Sequence, residues 1–270
     1  MTLETWLKKA VKELGAADIG SARLDTQLLA AHVLNHPREW ILAHPEYELA
    51  KAEGEKLDEL LARRVAHHPV AHLVGHREFF GLDFEITPDV LTPRPESEPM
   101  ITWAIQYAPK DGRLIDMGTG SGAIAIAIAK ARPDLHVTGT DITTEALEVA
   151  HRNAQRHHAK LELVKSNLWD KIPGRYHTVV TNLPYLRDDE QLLAEVKREP
   201  AIALFGGPDG LDLYRQLLTD LPKHLEPGGY FFCESDPWQH NQLTQDAASQ
   251  GLQKLEEDYF LLGFQLTTQS

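Results

Sequence analysis

The stretch RLIDMGTGSGAIAIAIAKARPDLHVTGTD, residues 113–141, decides the fold. It opens on a short apolar run, breaks at glycines, resumes as a helix predicted from Ser121 to Lys130, and closes on a second run, HVTGTD. Strand, glycine turn, helix and strand together begin a parallel sheet, because parallel strands need a crossover and a helix is the compact one. The turn is GxGxG: Gly118, Thr119, Gly120, Ser121 and Gly122. Backbone without Cβ atoms, leading into a helix, lets a ligand approach closely. Asp141 ends the second run, where a carboxylate can accept hydrogen bonds from both ribose hydroxyls of an adenosine-containing cofactor. The plain alternative for Asp141 is an N-cap for the helix predicted from Thr144 to His157. Glycines and acid in register favour a nucleoside site, but they do not separate a dinucleotide from S-adenosylmethionine.

Working outward, LELVKSN, YHTVVTN and YFFCES continue the strand series, and GLDLYRQLLTDLPKHL is a helix before the last of them. The expectation is an α/β fold with a mostly parallel sheet covered on both faces, and ligands on such sheets bind at the carboxyl ends of the strands. YHTVVTN runs into Asn182, Leu183, Pro184 and Tyr185. A planar nitrogen attacks a sulfonium methyl poorly because its lone pair is delocalised, so it has to be held in line. The Asn182 side-chain oxygen can accept one N–H and the Leu183 carbonyl the other, while Tyr185 can cover the flat group by stacking. Pro184 pushes Leu183 toward an extended conformation that aims its carbonyl outward. Positioning of this kind is worth up to about 7 to 11 kcal/mol. An Asn-x-Pro-Tyr could also be a turn closing a strand, but its place after the glycine loop and Asp141 favours chemistry.

Upstream, residues 1 to about 72 show apolar residues at helical spacing: Trp6, Leu7, Ala10, Val11 and Leu14, then Leu24, Leu28, Leu29, Ala31 and Val33, then Leu57, Leu60, Leu61 and Val65. Pro69 interrupts the pattern. From Leu73 the sequence reads LVGHREFFGLDFEITPDVL, whose Phe80, Phe84 and Ile86 around Gly81 suggest a β-hairpin. The predicted organisation is a helical domain over 1–72, a hairpin linker over 73–92 and a catalytic domain over 93–270. The chain carries 27 Lys plus Arg against 40 Asp plus Glu, a net charge of −13. That excess disfavours direct nucleic-acid binding, which draws its affinity from cations. A hydrophobic share of 42% supplies a globular core. No apolar run is long enough for a membrane helix, the charged N-terminus is unlike a signal peptide, and the single cysteine fits a reducing cytoplasm.

The sequence resembles the PrmC (HemK) family, methyltransferases that use S-adenosylmethionine to modify the glutamine of the GGQ motif in peptide chain release factors. The resemblance covers nearly the whole chain. It rests on residues 69–98 (PVAHLVGHREFFGLDFEITPDVLTPRPESE), 116–129 (DMGTGSGAIAIAIA), 140–154 (TDITTEALEVAHRNA), 182–185 (NLPY) and 204–218 (LFGGPDGLDLYRQLL). The first and last are the specific ones, since binding the cofactor alone does not need them. The resemblance implies a helical N-terminal domain that helps engage the release factor, a hairpin linker, and a Rossmann-like class I S-adenosylmethionine-dependent methyltransferase domain, with a monomer expected. It also implies that Gly118 to Gly122 line the methionine and ribose portions, that Asp141 holds the ribose, that Leu168 sits beside the adenine, and that Asn182 to Tyr185 bind the glutamine amide.

Three departures stand out. The family pattern is usually NPPY, and Leu183 replaces its first proline; NLPY also looks like the motif of ribosomal RNA adenine dimethyltransferases, so an RNA adenine is a rival substrate, and the glutamine of a ribosomal protein is another planar amine that would serve. Asn167 and Leu168 stand before Trp169 where Asp-Trp is common. The C-terminal LEEDYFLLGFQLTTQS lacks an expected Asp, Gly and Arg cluster, which leaves a catalytically weakened cofactor-binding homologue as a second rival. Elsewhere, His67, His68, His72 and His76 have poor metal-ligand spacing, with Pro69 among them. Arg94, Glu96 and Glu98 are expected in a site-forming segment, Cys233 in the core, and Glu234 at a strand end that can face the cofactor.

Overall fold

The computed structural model describes residues 1–268; Gln269 and Ser270, the end of the predicted catalytic domain and of the divergent C-terminal stretch, lie outside the described residues. The chain forms two compact units. One comprises Met1–His76 together with Leu192–Arg198, and the other comprises Arg77–Gln191 together with the chain from Glu199 onward.

The first unit contains α1 (Leu3–Ala16), α2 (Ala22–Leu34), α3 (Arg38–Ala43), α4 (Lys51–Val65) and α5 (Val70–Val74). Of the residues that the helical spacing picks out, Trp6, Ala10, Leu14, Leu29, Leu57, Leu60 and Leu61 are buried in its core, alongside Leu3, Ile19, Leu34 and Ile41, while Leu7, Val11, Ala31, Val33 and Val65 are partly buried against it. Leu24, expected inside, is exposed, because Asp25 and Thr26 turn inward on that face. The indole of Trp6 donates to Asp58 at 2.9 Å. A buried ion pair joins Arg64 to Asp25 at 2.7 Å, both side chains only 3% exposed, and Arg64 also reaches Glu195 at 2.8 Å. Arg64 thus pins the returning segment Leu192–Arg198. Pro69 does not end the helical region: it is the N-cap of α5, since a proline lacks only an N–H that a helix start leaves unpaired anyway.

The hairpin consists of β1 (His76–Phe79) and β2 (Leu82–Glu85), so Leu73 and Val74, read as part of it, belong to α5 instead. Phe80 and Gly81 both have positive φ, 51° and 72°, as the tight turn between twisted strands requires.

The second unit continues with α6 (Glu98–Tyr107), β3 (Arg113–Met117), α7 (Ala123–Ala131), β4 (His136–Asp141), α8 (Thr144–Arg156), β5 (Glu162–Lys165), β6 (Tyr176–Thr181), α9 (Asp212–His224), β7 (Leu225–Glu234), α10 (His240–Ser249), β8 (Leu252–Asp258) and β9 (Leu261–Leu266). The sheet order is β5-β4-β3-β6-β7-β9-β8. The first five pair in parallel, while β9 runs antiparallel to β7 and β8 antiparallel to β9. The central strands are buried along nearly their whole length, as a sheet covered on both faces demands. From β3 the chain winds to β4 and β5 on one side, then returns to place β6 on the other. The crevice beyond the carboxyl ends of β3 and β6 is therefore the switch point where such sheets hold ligands.

Candidate active site

Two segments meet at that switch point. After β3 the chain turns through Gly118 (φ 77°), Gly120 (φ 55°) and Gly122 (φ 80°). After β6 it enters Asn182, Leu183, Pro184 and Tyr185. They are adjacent: a Cβ added to Gly118 would sit 3.2 Å from the Leu183 side chain, and the Thr181 hydroxyl donates to the Met117 carbonyl at 2.6 Å. One pocket is lined by Gly118, Thr119, Gly120 and Ser121, by Asp141 and Ile142, by Asn167 and Leu168, and by Asn182, Leu183 and Pro184.

The glycines do different jobs. A Cβ on Gly120 would meet nothing within 4 Å, so this residue leaves open the space that a ligand would fill. Gly122, by contrast, stands behind the wall. A Cβ there would come within 2.9 Å of Ile126 and 3.1 Å of Ala150, so its smallness lets α7 and α8 approach. Thr119 also points inward, donating to Asp116 at 2.7 Å. Burial pushes the Asp116 carboxyl up to about 7.

Asp141 sits at the end of β4. One carboxylate oxygen accepts the Gly120 N–H at 3.0 Å; the other accepts the N–H and hydroxyl of Thr143 at 2.9 and 3.0 Å. The helix cap that Asp141 might have supplied comes from Thr143, which accepts the Ala146 N–H. Asp141 therefore faces the pocket with acceptor capacity left. Leu168 lines the same pocket with φ 45°, a conformation that costs a branched side chain energy and concentrates at functional sites. Trp169 turns away into the core, stacked on His224 at 4.5 Å and donating to the Leu217 carbonyl. The apolar wall is thus Leu168 and Ile142 rather than the indole.

Around Asn182 the polar contacts are dense. Its Nδ2 donates to Ser97 Oγ at 3.3 Å, and Glu234 stands beside it at the end of the neighbouring strand. Ser97 donates to Glu234 at 2.5 Å, and the Tyr185 hydroxyl donates to the other Glu234 oxygen at 3.1 Å. Burial pushes the Glu234 carboxyl above its ordinary value while Ser97 and Tyr185, which donate to it, pull it back. Tyr185 is not in the pocket wall; burial and the adjacent carboxylate push its phenol well above the ordinary value. The Leu183 carbonyl accepts no hydrogen bond from the described residues.

The segment LFGGPDG braces this loop from outside. Leu186 donates its N–H to the Leu204 carbonyl and accepts the Gly206 N–H at its own, and Gln239 donates to the carbonyls of Tyr185 and Asp209 at 2.8 and 2.9 Å. A Cβ on Gly206 would lie 2.3 Å from the Pro184 oxygen, and one on Gly210 would lie 2.0 Å from that of Tyr185. Only bare backbone fits on either side of the NLPY segment.

The chain is similar to known proteins over most of its length. A model of the PrmC N-terminal domain matches residues 5–75 and one of the methyltransferase small domain matches residues 101–199. The release factor glutamine methyltransferase of Koribacter versatilis is 42% identical over 87% of this chain and 86% of its own, and that of Escherichia coli is 33% identical over 92% and 90%. The chain belongs to the release factor glutamine methyltransferase family. A methyltransferase from Pyrococcus furiosus, 22% identical, superimposes with a TM-score of 0.55 over 78% of this chain and 99% of its own, which fixes the class I methyltransferase fold.

Pro93 and Ser97 line the pocket, while Arg94 pairs with buried Glu199 at 2.6 Å and Glu98 accepts the Phe80 N–H. Cys233 is fully buried and burial pushes its thiol upward, so it is a core residue. Among the described residues no cluster of His, Cys, Asp and Glu could hold a metal, and no helix is long and apolar enough to cross a membrane. Sequence reasoning missed Ser97 and Gln239. Ser97 lies inside the family-specific stretch 69–98, but its partner Glu234 is 137 residues away in sequence; nothing local marks Gln239.

Proposed function

We propose that this chain transfers a methyl group from S-adenosylmethionine to the side-chain amide nitrogen of the glutamine in the GGQ motif of a peptide chain release factor. The single observation that carries it is that the glycine turn and the Asn182–Pro184 segment line one pocket. The names of relatives similar over most of the chain support the substrate.

The pocket fits the methyl donor. Open space over Gly120 admits it, Asp141 offers a carboxylate to ribose hydroxyls, and Leu168 and Ile142 offer an apolar bed for a flat base. When bound, the donor supplies an electrophilic methyl on a sulfonium. Asn182 accepts one amide N–H through Oδ1, the Leu183 carbonyl accepts the other, and the two fix the plane and position of the glutamine nitrogen. Positioning carries the rate, so no strongly basic group is required, and the released proton leaves to water. Pro184 holds Leu183 extended, which replaces part of the stiffness of a second proline.

On this reading the helical domain, residues 1–72, helps engage the release factor, residues 73–92 link it to the catalytic domain, and the protein acts as a monomer in the cytoplasm, where release factors work. The test is mass spectrometry of a release factor incubated with enzyme and S-adenosylmethionine. One added methyl on the GGQ peptide is expected. Transfer only to RNA or to a ribosomal protein would overturn the assignment, and donor binding without transfer to any of them would mark a non-catalytic homologue.

A further inference from the structure

A primary amide has two ends of nearly equal shape and opposite hydrogen-bonding sense, so Asn182 is useful only if something decides which end faces the substrate. Glu234 and Ser97 make that decision. β6 and β7 run in parallel with Thr181 opposite Cys233, which places the next residues, Asn182 and Glu234, side by side at the carboxyl ends of their strands. Glu234 is 2% exposed and accepts on both of its oxygens, from Ser97 and from Tyr185. Ser97 has one hydroxyl hydrogen and gives it to Glu234 at 2.5 Å, so toward Asn182 Nδ2, 3.3 Å away, it can only accept. Tyr185 fills the other Glu234 oxygen and keeps the carboxylate from turning. With Ser97 Oγ accepting from it and the Glu234 carboxyl beside it, Nδ2 is held on their side and Oδ1 is left for the pocket.

We propose that Glu234 is a positioning residue that, with Ser97 as its relay, locks the Asn182 amide with its oxygen toward the substrate, so that the site takes a nitrogen bearing hydrogen. The assignment of that oxygen to a substrate N–H rests on the function proposed above; the lock itself does not.

The test combines kinetics with NMR of the free protein, its asparagine side chains labelled with nitrogen-15. In the wild type the Asn182 amide protons should give one sharp pair with cross-relaxation to the Ser97 β protons. Glu234→Gln presents a donor as well as an acceptor, so that pair should broaden or split. With a release factor as substrate, kcat should fall about tenfold to a hundredfold, the scale of a small misplacement of reacting groups. KM for S-adenosylmethionine should stay within about twofold. Should that variant not fold, Ser97→Ala should lower kcat in the same sense and Ser97→Thr, which keeps the hydroxyl, should restore it. An undiminished kcat in Glu234→Gln or Ser97→Ala overturns the proposal, as does a wild-type Asn182 amide without contact to Ser97. A wild type that shows the locked amide yet never methylates a release factor overturns the functional reading and leaves the lock standing.

Discussion

At the residue scale, the pocket divides its labour between holding the donor and holding the acceptor, and single substitutions separate the two. Asn182→Ala should abolish transfer to the release factor while S-adenosylmethionine still binds, as measured by calorimetry alongside turnover. Asp141→Ala should instead weaken donor binding, because its carboxylate both braces Gly120 and offers acceptors to the ribose. Asp116 offers a stability test. Its native carboxyl is raised to about 7 from an ordinary 3.8, so the folded state holds that proton more tightly than the unfolded chain does. Stability should then decline as pH climbs from about 4 to about 7 and level off above, where the buried group is charged. In Asp116→Asn this part of the decline should vanish, so the variant's Tm should gain on the wild type above about pH 7 and not near pH 4. That Asn182, Leu183 and Asp141 share one pocket was legible because each sits at the end of an apolar run in a recognisable order. Ser97 was not, since its partner Glu234 lies 137 residues further along the chain.

At the element scale, smallness and charge at two sites hold shape. Gly210 has φ 74°, and a Cβ there would run into the Tyr185 carbonyl and Gln239. Gly210→Ala should therefore displace the loop carrying Asn182 and lower both Tm and kcat, with the strain alone worth about 1 to 3 kcal/mol. In the helical unit, Arg64→Ala strands the carboxylate of Asp25, which is 3% exposed. Removing one member of a buried pair costs about 3 to 5 kcal/mol, readable by urea denaturation. The helices and parallel strands were legible because their apolar periods differ. The β8–β9 hairpin was not, because LQKLEED buries little of its surface and reads as a polar tail. Nor was α5, five residues long and opened by a proline that usually marks a break.

At the scale of the molecule, the order of strands explains why one crevice receives both functional segments: the chain reverses its winding between β5 and β6, and β3 and β6 meet as neighbours. A donor seated there should stabilise the whole second unit by mass action, so S-adenosylmethionine should raise Tm in thermal melts and NADH should not. The alternation of strand and helix made this layout readable from sequence, since crossover handedness and packing leave few arrangements. What no local pattern could show is that residues 192–198 leave the second unit to pack with the first.

That excursion constrains how the protein can be cut. The polypeptide passes from one unit to the other three times, after His76, after Gln191 and after Arg198. A fragment ending near residue 76 keeps Arg64 and Asp25 but leaves Glu195 behind, and the complementary fragment retains a short segment stripped of the helices it clusters with. Neither half is a natural stopping point for genetic dissection, so binding experiments that aim to isolate the helical unit need a graft of residues 192–198 rather than a simple truncation.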